Sequence, residues 1–294
     1  MKYAITGSNG YVGGGIANYL RSVGEEVVEL RRLRAGEVPS TNLVPFRLGD
    51  SPSDERVRSC KTLVHCAYDL SAISWPDIQR ENVEGSRLLF EGAASLGIER
   101  IILISSISAF PESSSLYGRA KMEIEALARR YKGVVVRPGL VYGDSPGGMM
   151  GTLGRFVEKL PIVPVIGGEQ EMFLVHQEDL SKMIYHLAHA SSVSEVPLFA
   201  CNERAMKFSS ILKLLAEQCG RRAPFIAVPW RAAWLGLKAL ELGGLRLGIK
   251  SDSLVSMMNP NPSPDFGATR KLGLSFREFG SSRALGEYRL RSNE

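Results

Sequence analysis

A glycine-rich turn lies within the first thirteen residues, and it constrains the fold more than any other feature of the chain. The stretch Thr6-Gly7-Ser8-Asn9-Gly10-Tyr11-Val12-Gly13 follows an apolar run, Tyr3 to Thr6, and opens a segment, Val12 to Ser22, that suits a helix. Glycines so spaced permit a tight turn, close backbone approach to a pyrophosphate, and close helix–strand contact. The helix N-terminus adds free N–H groups and the positive end of its dipole. A lone glycine run is weak evidence, but its place between strand and helix is the context that gives it meaning. Gly7, Asn9, Gly10, Tyr11, Val12 and Gly13 are therefore candidate phosphate-binding positions.

The rhythm of the first half agrees. Tyr3 to Thr6, Glu26 to Leu30, Thr62 to His65, Arg100 to Ser105 and Gly133 to Arg137 are short runs rich in Val, Ile and Leu without strict alternation. Strands covered on both faces read this way. Helix-like stretches, Val12 to Ser22, Asn82 to Leu96 and Tyr117 to Tyr131, lie between them. This order predicts an α/β fold, a Rossmann-type doubly wound parallel sheet.

After Tyr142, glycines and prolines break the rhythm, and helix-like stretches return at Gln177 to His189, Phe208 to Cys219 and Arg231 to Leu247. Leu198 to Cys201 is a short strand, and Asn259 to Pro264 a stiff extended connector. The division expected is a dinucleotide-binding domain over 1–142 plus about 176–202. A smaller discontinuous substrate-binding domain takes 143–175 plus about 203–294.

Composition narrows the function classes. The 294 residues are 44% hydrophobic and 23% charged, with a net charge of +5, an ordinary globular balance. Arg31, Arg32 and Arg34 form a short cluster without interleaved aromatics, which argues against nucleic acid and for an anionic small molecule. Cys60, Cys66, Cys201 and Cys219 show neither metal nor redox spacing, so a reducing cytoplasm and no metal are expected. His186 and His189 lack a third ligand, in keeping with that reading. The segment Pro229 to Ile249 contains Arg231, Lys238, Glu241 and Arg246, too many charges for a membrane span. Its Trp230, Trp234, Leu235, Leu237, Leu240 and Leu242 read as an apolar stripe packed on a domain.

Tyr117-Gly118-Arg119-Ala120-Lys121 places Tyr and Lys four apart, on one helix face. A free phenol titrates near 10. A neighbouring ammonium, joined by an oxidised nicotinamide, is expected to lower that value and make Tyr117 a proton donor and acceptor. The preceding strand ends in Ser105-Ser106, hydroxyls able to orient a substrate oxygen.

In combination, the TGxxGxxG spacing and the Tyr-Lys pair resemble the extended short-chain dehydrogenase/reductase superfamily, the NAD-dependent epimerase/dehydratase family, over most of the chain. The resemblance implies further roles. Ser106 matches the hydroxyl of a catalytic set with Tyr117 and Lys121, and Ser105 and Ser108 are lesser candidates. Asp50 matches an adenine-contacting Asp. Cys66, Ala67 and Tyr68 match the segment under the nicotinamide ribose, where backbone contacts are expected. Asn82 matches an Asn that supports the site, and as a residue it also suits a helix N-cap. Arg137-Pro138-Gly139-Leu140-Val141-Tyr142-Gly143 matches the RPxxVYG segment, placing Pro138, Leu140 and Val141 at the cofactor. Phe173 to Leu180 is similar to FVHVDDLA, with His176 and Asp179 as helix-start and junction residues. His65 is expected to be a packed histidine.

Where sugar-nucleotide epimerases carry Asp at the second strand's end, this chain has Arg31, followed by Arg32. Two guanidinium groups favour a 2′-phosphate, hence NADP(H), with NAD(H) possible. Glu29 is the competing ribose contact, and both arginines also read as solvated charges.

The implied activity is hydride transfer to or from a hydroxyl or carbonyl carbon, plausible for a nucleotide-sugar 4-keto reductase. One alternative is a nucleotide-sugar epimerase with tightly bound NAD; another is a non-catalytic NADP-binding sensor or accessory subunit. Arg155, Arg204 and Lys207 are candidates for a diphosphate. A homodimer through the helices Asn82 to Leu96 and Tyr117 to Tyr131 is expected.

Overall fold

A computed structural model describes residues 1–192, 194–245 and 249–280. Six strands, β1 (Lys2–Thr6), β2 (Glu26–Arg31), β3 (Leu43–Pro45), β4 (Thr62–His65), β5 (Arg100–Ile104) and β6 (Val134–Pro138), form a parallel sheet with Leu198–Ala200. The spatial order runs β3, β2, β1, β4, β5, β6, then Leu198–Ala200. The order reverses between β1 and β4, which opens a crevice beyond the strand ends.

Alternate residues of each strand feed opposite faces, as the pleat requires. Tyr3, Ile5, Val64 and Ile102 pack with Ile16 and Leu20 of the first helix, Tyr11–Ser22, and with Met183 and Ile184 of Gln177–His189. Ala4, Leu63, Ile101 and Leu103 pack on the other face with Leu89 and Phe90 of Gly85–Ser95 and Ile124 of Leu116–Arg130. The uninterrupted apolar runs are thus strands with both faces covered. A third cluster joins Met150, Leu153 and Val157 of Gly148–Lys159 to Ile211, Leu212 and Leu215 of Phe208–Gln218.

Two sequence expectations are corrected. Asn82 does not begin a helix. That helix starts at Trp75, capped by Ser74, and Asn82 lies inside a π-helical turn, Gln79–Glu84, that continues into Gly85–Ser95. The helix expected over Arg231 to Leu247 spans Trp230–Leu242, and Leu247 lies outside the described residues. No residue of this helix is buried, and Leu235 and Leu242 are exposed. The stripe expected to pack on a domain is therefore only partly covered.

Candidate active site

The loops at the crevice are tied together by one chain of hydrogen bonds. Gly7, with φ of +71°, turns the backbone so closely under the loop after β4 that a Cβ would lie 2.8 Å from the Ala67 Cα. A Cβ on Gly13 would lie 2.5 Å from the Gly7 carbonyl oxygen. Side chains at either place would fill the cradle, and Gly10 caps the first helix without a side-chain bond. This backbone concavity at a helix N-terminus fits a dinucleotide pyrophosphate. Tyr11 contributes little by its side chain, which packs against Gly147 and Gly148 and donates to the Ser145 carbonyl.

Thr6 Oγ1 accepts the amides of Cys66 and Ala67, both at 3.2 Å, and therefore donates to His65 Nδ1 at 2.7 Å. His65 Nε2–H then donates to Ser86 Oγ at 2.9 Å, and Ser86 donates to the Asn82 carbonyl at 2.6 Å. Only a neutral imidazole serves this sequence of donors and acceptors, and burial lowers His65 to about 3. His65 is thus a packed histidine. Asn82 Oδ1 accepts the Asp69 amide at 2.6 Å and its Nδ2 donates to the Asp69 carbonyl at 3.1 Å. The clamp fixes the loop bearing Tyr68. The Cys66 and Ala67 amides are engaged by Thr6.

Tyr117 and Lys121 share one face of Leu116–Arg130, with Lys121 Nζ 5.8 Å from the Tyr117 ring centroid. Ser106 is hydrogen-bonded to the Tyr117 hydroxyl, and its oxygen also accepts the Ser108 amide at 3.1 Å. Lys121 is buried and donates to the Ile104 carbonyl at 2.9 Å. Burial pushes the Tyr117 phenol up to about 12 and draws Lys121 down to about 8. In the protein alone the phenol is thus raised, whereas the lowering expected from the sequence calls on an oxidised nicotinamide as well as Lys121. Desolvation outweighs an ammonium that is itself desolvated and turned toward a carbonyl.

Ser105 is also corrected. Its hydroxyl donates to Glu125 at 2.5 Å, and Glu125 is held by Arg137 at 2.7 and 2.8 Å. That buried network is structural, and Ser106, not Ser105, reaches the crevice.

Sequence reasoning missed the Tyr68 side chain. Its ring meets Tyr117 edge-on at 5.0 Å, with Lys121 Nζ 5.1 Å from its centroid. Its hydroxyl is buried with no hydrogen-bond partner among the described residues. An orphaned polar atom costs free energy unless a ligand satisfies it. Asp252 was missed too, since nothing in the sequence links it to residue 116. Its two carboxylate oxygens accept the Leu116 and Tyr117 amides at 2.9 and 3.0 Å. From the same helix, Ser251–Met258, Ser256 donates to Ser108 at 2.8 Å.

The second strand's end lies against the glycine turn. The Gly7 amide donates to the Leu30 carbonyl and Asn9 Nδ2 to the Arg32 carbonyl. Burial alone would raise Glu29, but bonds from Arg21, Ser8 and Arg31 outweigh it and hold the carboxylate below its ordinary range. Glu29 is thus spent as a ribose acceptor. Arg31 forms a fork with Glu37 at 2.6 and 2.7 Å, while Arg32 is exposed. Asp50 accepts the Arg47 amide across its own exposed turn. Pro138 accepts the Ile107 amide, Leu140 lies at the crevice, and Val141 packs on the core.

His176 caps Gln177–His189 and meets Asp144, while Asp179 binds Arg277 through side chain and backbone. Both are the structural residues expected. Arg204 pairs with Glu278, Lys207 with Glu169, and Arg155 with Thr152. None of these three cations lines the crevice.

Tyr117, Ser106 and Tyr68 face a cavity of about 760 Å³. Its walls are chiefly apolar: Ile107, Leu153, Phe156, Met172, Leu212 and Val255 are representative. Among the described residues no arginine lines it. No group of three or more metal-ligating side chains occurs among the described residues.

The family model described as NAD dependent epimerase/dehydratase family matches residues 3–197. The ceramide reductase of Caulobacter vibrioides is 26% identical over 223 residues, covering 74% of this chain and 66% of that protein. The uncharacterized protein Rv2047c of Mycobacterium tuberculosis is 25% identical over 193 residues, covering 63% of this chain and 20% of that protein. The chain thus spans less than two thirds of these relatives. Among solved structures, MoeE5 with UDP-glucuronic acid and NAD superposes with a TM-score of 0.74 at 20% identity. The UDP-glucose 4-epimerase of Thermotoga maritima with UDP-glucose gives 0.72 at 20% identity. In both, 98% of this chain and 97% of the other are covered.

Proposed function

The chain belongs to the NAD-dependent epimerase/dehydratase family, and on that premise we propose that it is an NADP(H)-dependent oxidoreductase acting on a carbonyl carried by a largely apolar substrate. The observation that carries this reading is the apolar cavity against Tyr117 and Ser106. Burying an alkyl chain there is favourable by roughly 25 cal/mol per Å² of apolar surface. A nucleotide diphosphate would instead need several buried cations. Among the described residues the cavity's basic ones are Lys238, beside Glu241 and 40% exposed, and Lys250, and the three cations expected for a diphosphate are engaged elsewhere. The name of the Caulobacter relative, a ceramide reductase, supports the same choice.

The nicotinamide, when bound, supplies the hydride. Tyr117, fully protonated at neutral pH with its phenol near 12, donates its proton to the carbonyl oxygen. Ser106 holds that oxygen in place. Lys121, anchored on the Ile104 carbonyl, sets a positive charge below the phenol that stabilises the developing phenolate. Tyr68 offers its unpaired hydroxyl to the bound molecules, and its ring shields the reacting atoms from water. Arg31 and Arg32, held beside the glycine turn, bind the 2′-phosphate once Glu37 gives way.

The test is Tyr117→Phe, assayed with NADPH against long-chain ketones and against nucleotide-linked 4-keto sugars. The wild type is expected to turn over the long-chain ketones. The variant should lose about 10²–10⁴ in kcat, the usual worth of a positioned proton donor, while still binding cofactor. A variant that keeps its turnover refutes the catalytic assignment and favours the sensor alternative. A wild type active only on the sugars refutes the substrate class.

A further inference from the structure

The helix Trp230–Leu242 is apolar on its outer side as well as on the half-buried side that carries Trp230, Trp234, Leu237 and Leu240. Ala232, Leu235, Gly236, Ala239 and Leu242 fall on its exposed side, with Leu235 62% and Leu242 78% exposed. Of its two charges beyond the first turn, Glu241 is largely covered, while Lys238 sits at the cavity rim with 40% of its side chain exposed. Lys238 and Glu241 line the cavity, and Glu241 accepts the amide and hydroxyl of Ser251, both at 2.7 Å. Arg231 is the one charged side chain on the outer face. Exposed Ile226 and Leu245 flank the helix in sequence. A contiguous apolar face of this kind marks an interaction surface.

Charge identifies the occupant. Residues 221–250 hold six lysines and arginines and one glutamate, whereas the whole chain has 36 lysines and arginines and 31 acids. Arg221, Arg222 and Arg231 of this stretch are exposed, and Lys238 and Lys250 stand at the cavity. Two copies meeting through it would bring like charges together. An anionic lipid surface would instead be attracted, and a helix with an apolar face and basic flanks lies in such an interface. No helix among the described residues is long and apolar enough to cross a membrane.

We propose that the outer face of Trp230–Leu242 docks on an anionic lipid bilayer and that substrate passes from the bilayer into the cavity walled by the same helix. The inference rests on the apolar-substrate reading for the second step and on surface chemistry alone for the first. Trp234 and Lys238 line the cavity from this helix, so docking sets the cavity wall at the depth where acyl chains begin.

The experiment is sedimentation of the full chain with vesicles of phosphatidylcholine, with and without phosphatidylglycerol. Binding is expected to the mixed vesicles, to weaken with salt, and to be much lower on pure phosphatidylcholine. Leu235→Glu and Leu242→Glu should each reduce partitioning about tenfold or more, the worth of one apolar side chain removed from lipid. Neither residue lines the cavity, so turnover of a short water-soluble ketone should be unchanged in both. Failure to sediment with either vesicle overturns the proposal. So does a homodimer in solution that Leu235→Glu splits. Turnover of a long-chain ketone in detergent micelles separates the two readings: its absence alongside intact vesicle binding removes the substrate class and leaves the docking surface.

Discussion

Replacing Tyr68 by Phe should make the protein more stable and the enzyme worse. The hydroxyl is buried without a partner among the described residues, and a group left in that state costs about 1–3 kcal/mol. Phe keeps the ring, and with it the edge-on contact to Tyr117 at 5.0 Å and the Lys121 charge 5.1 Å away. The gap left by one oxygen costs up to about 1 kcal/mol. The net is a gain of about 1 kcal/mol, which for a chain of this size raises the melting temperature by about 2–4 °C. Binding moves oppositely. Losing one hydrogen bond, worth about 0.5–1.5 kcal/mol, raises KM for cofactor or ketone about 2–10-fold. Scanning calorimetry of the protein alone and steady-state kinetics with NADPH read the two effects separately. A variant that melts lower than the wild type, with KM unchanged, would refute the argument, because the hydroxyl would then be serving the fold and not a ligand.

Two other expectations follow from charges placed by the fold. His65 must stay neutral for its chain of donors and acceptors, and burial depresses it from 6.5 to about 3. Below pH 6.5 the unfolded chain takes up a proton that the folded chain refuses. Its share of stability is therefore complete above 6.5 and lost, at up to about 1.4 kcal/mol per pH unit, as pH falls toward 3. Urea midpoints across that range should fall in the wild type, and a flat profile, or the same slope in His65→Leu, would contradict this. At the cofactor end, Arg31→Ala should lower kcat/KM with NADPH by about 10–100-fold, the worth of a charge-assisted bond, and leave NADH nearly untouched. Equal losses with both cofactors would count against 2′-phosphate recognition.

What could be read from the sequence was local. The glycine turn, the uninterrupted strands and the Tyr-Lys spacing each express a rule that acts within one element or between chain neighbours. The parallel sheet followed from these. Ser105 shows where that reasoning fails: adjacent hydroxyls at a strand end are equivalent in sequence. Their fates diverge because Glu125, twenty residues on, captures one of them. Asn82 looked like a helix cap for the same reason. The π-helical turn that carries it inward, onto Asp69, leaves no mark in residue pattern. Spacing from Tyr117 to Lys121 is visible in a sequence, whereas the desolvation that raises the phenol in the protein alone is not.

The C-terminal helices carry the substrate argument because of how they are fastened. Glu241 caps Ser251–Met258, and Asp252, the second residue of that helix, caps Leu116–Arg130 at Tyr117 itself. Two carboxylates, each opposing the positive dipole end of a helix, connect the exposed helix Trp230–Leu242 to the helix that carries Tyr117 and Lys121. Asp252 uses both oxygens on backbone amides, so it fixes the height of Tyr117 above β5 without competing for the phenol. Ser256, one turn later, reaches Ser108, two residues beyond Ser106. The apolar wall and the proposed proton-donating pair are therefore joined by hydrogen bonds. Glu241, Ser251 and Asp252 are the hydrogen-bonded link between the outer helix and Leu116–Arg130.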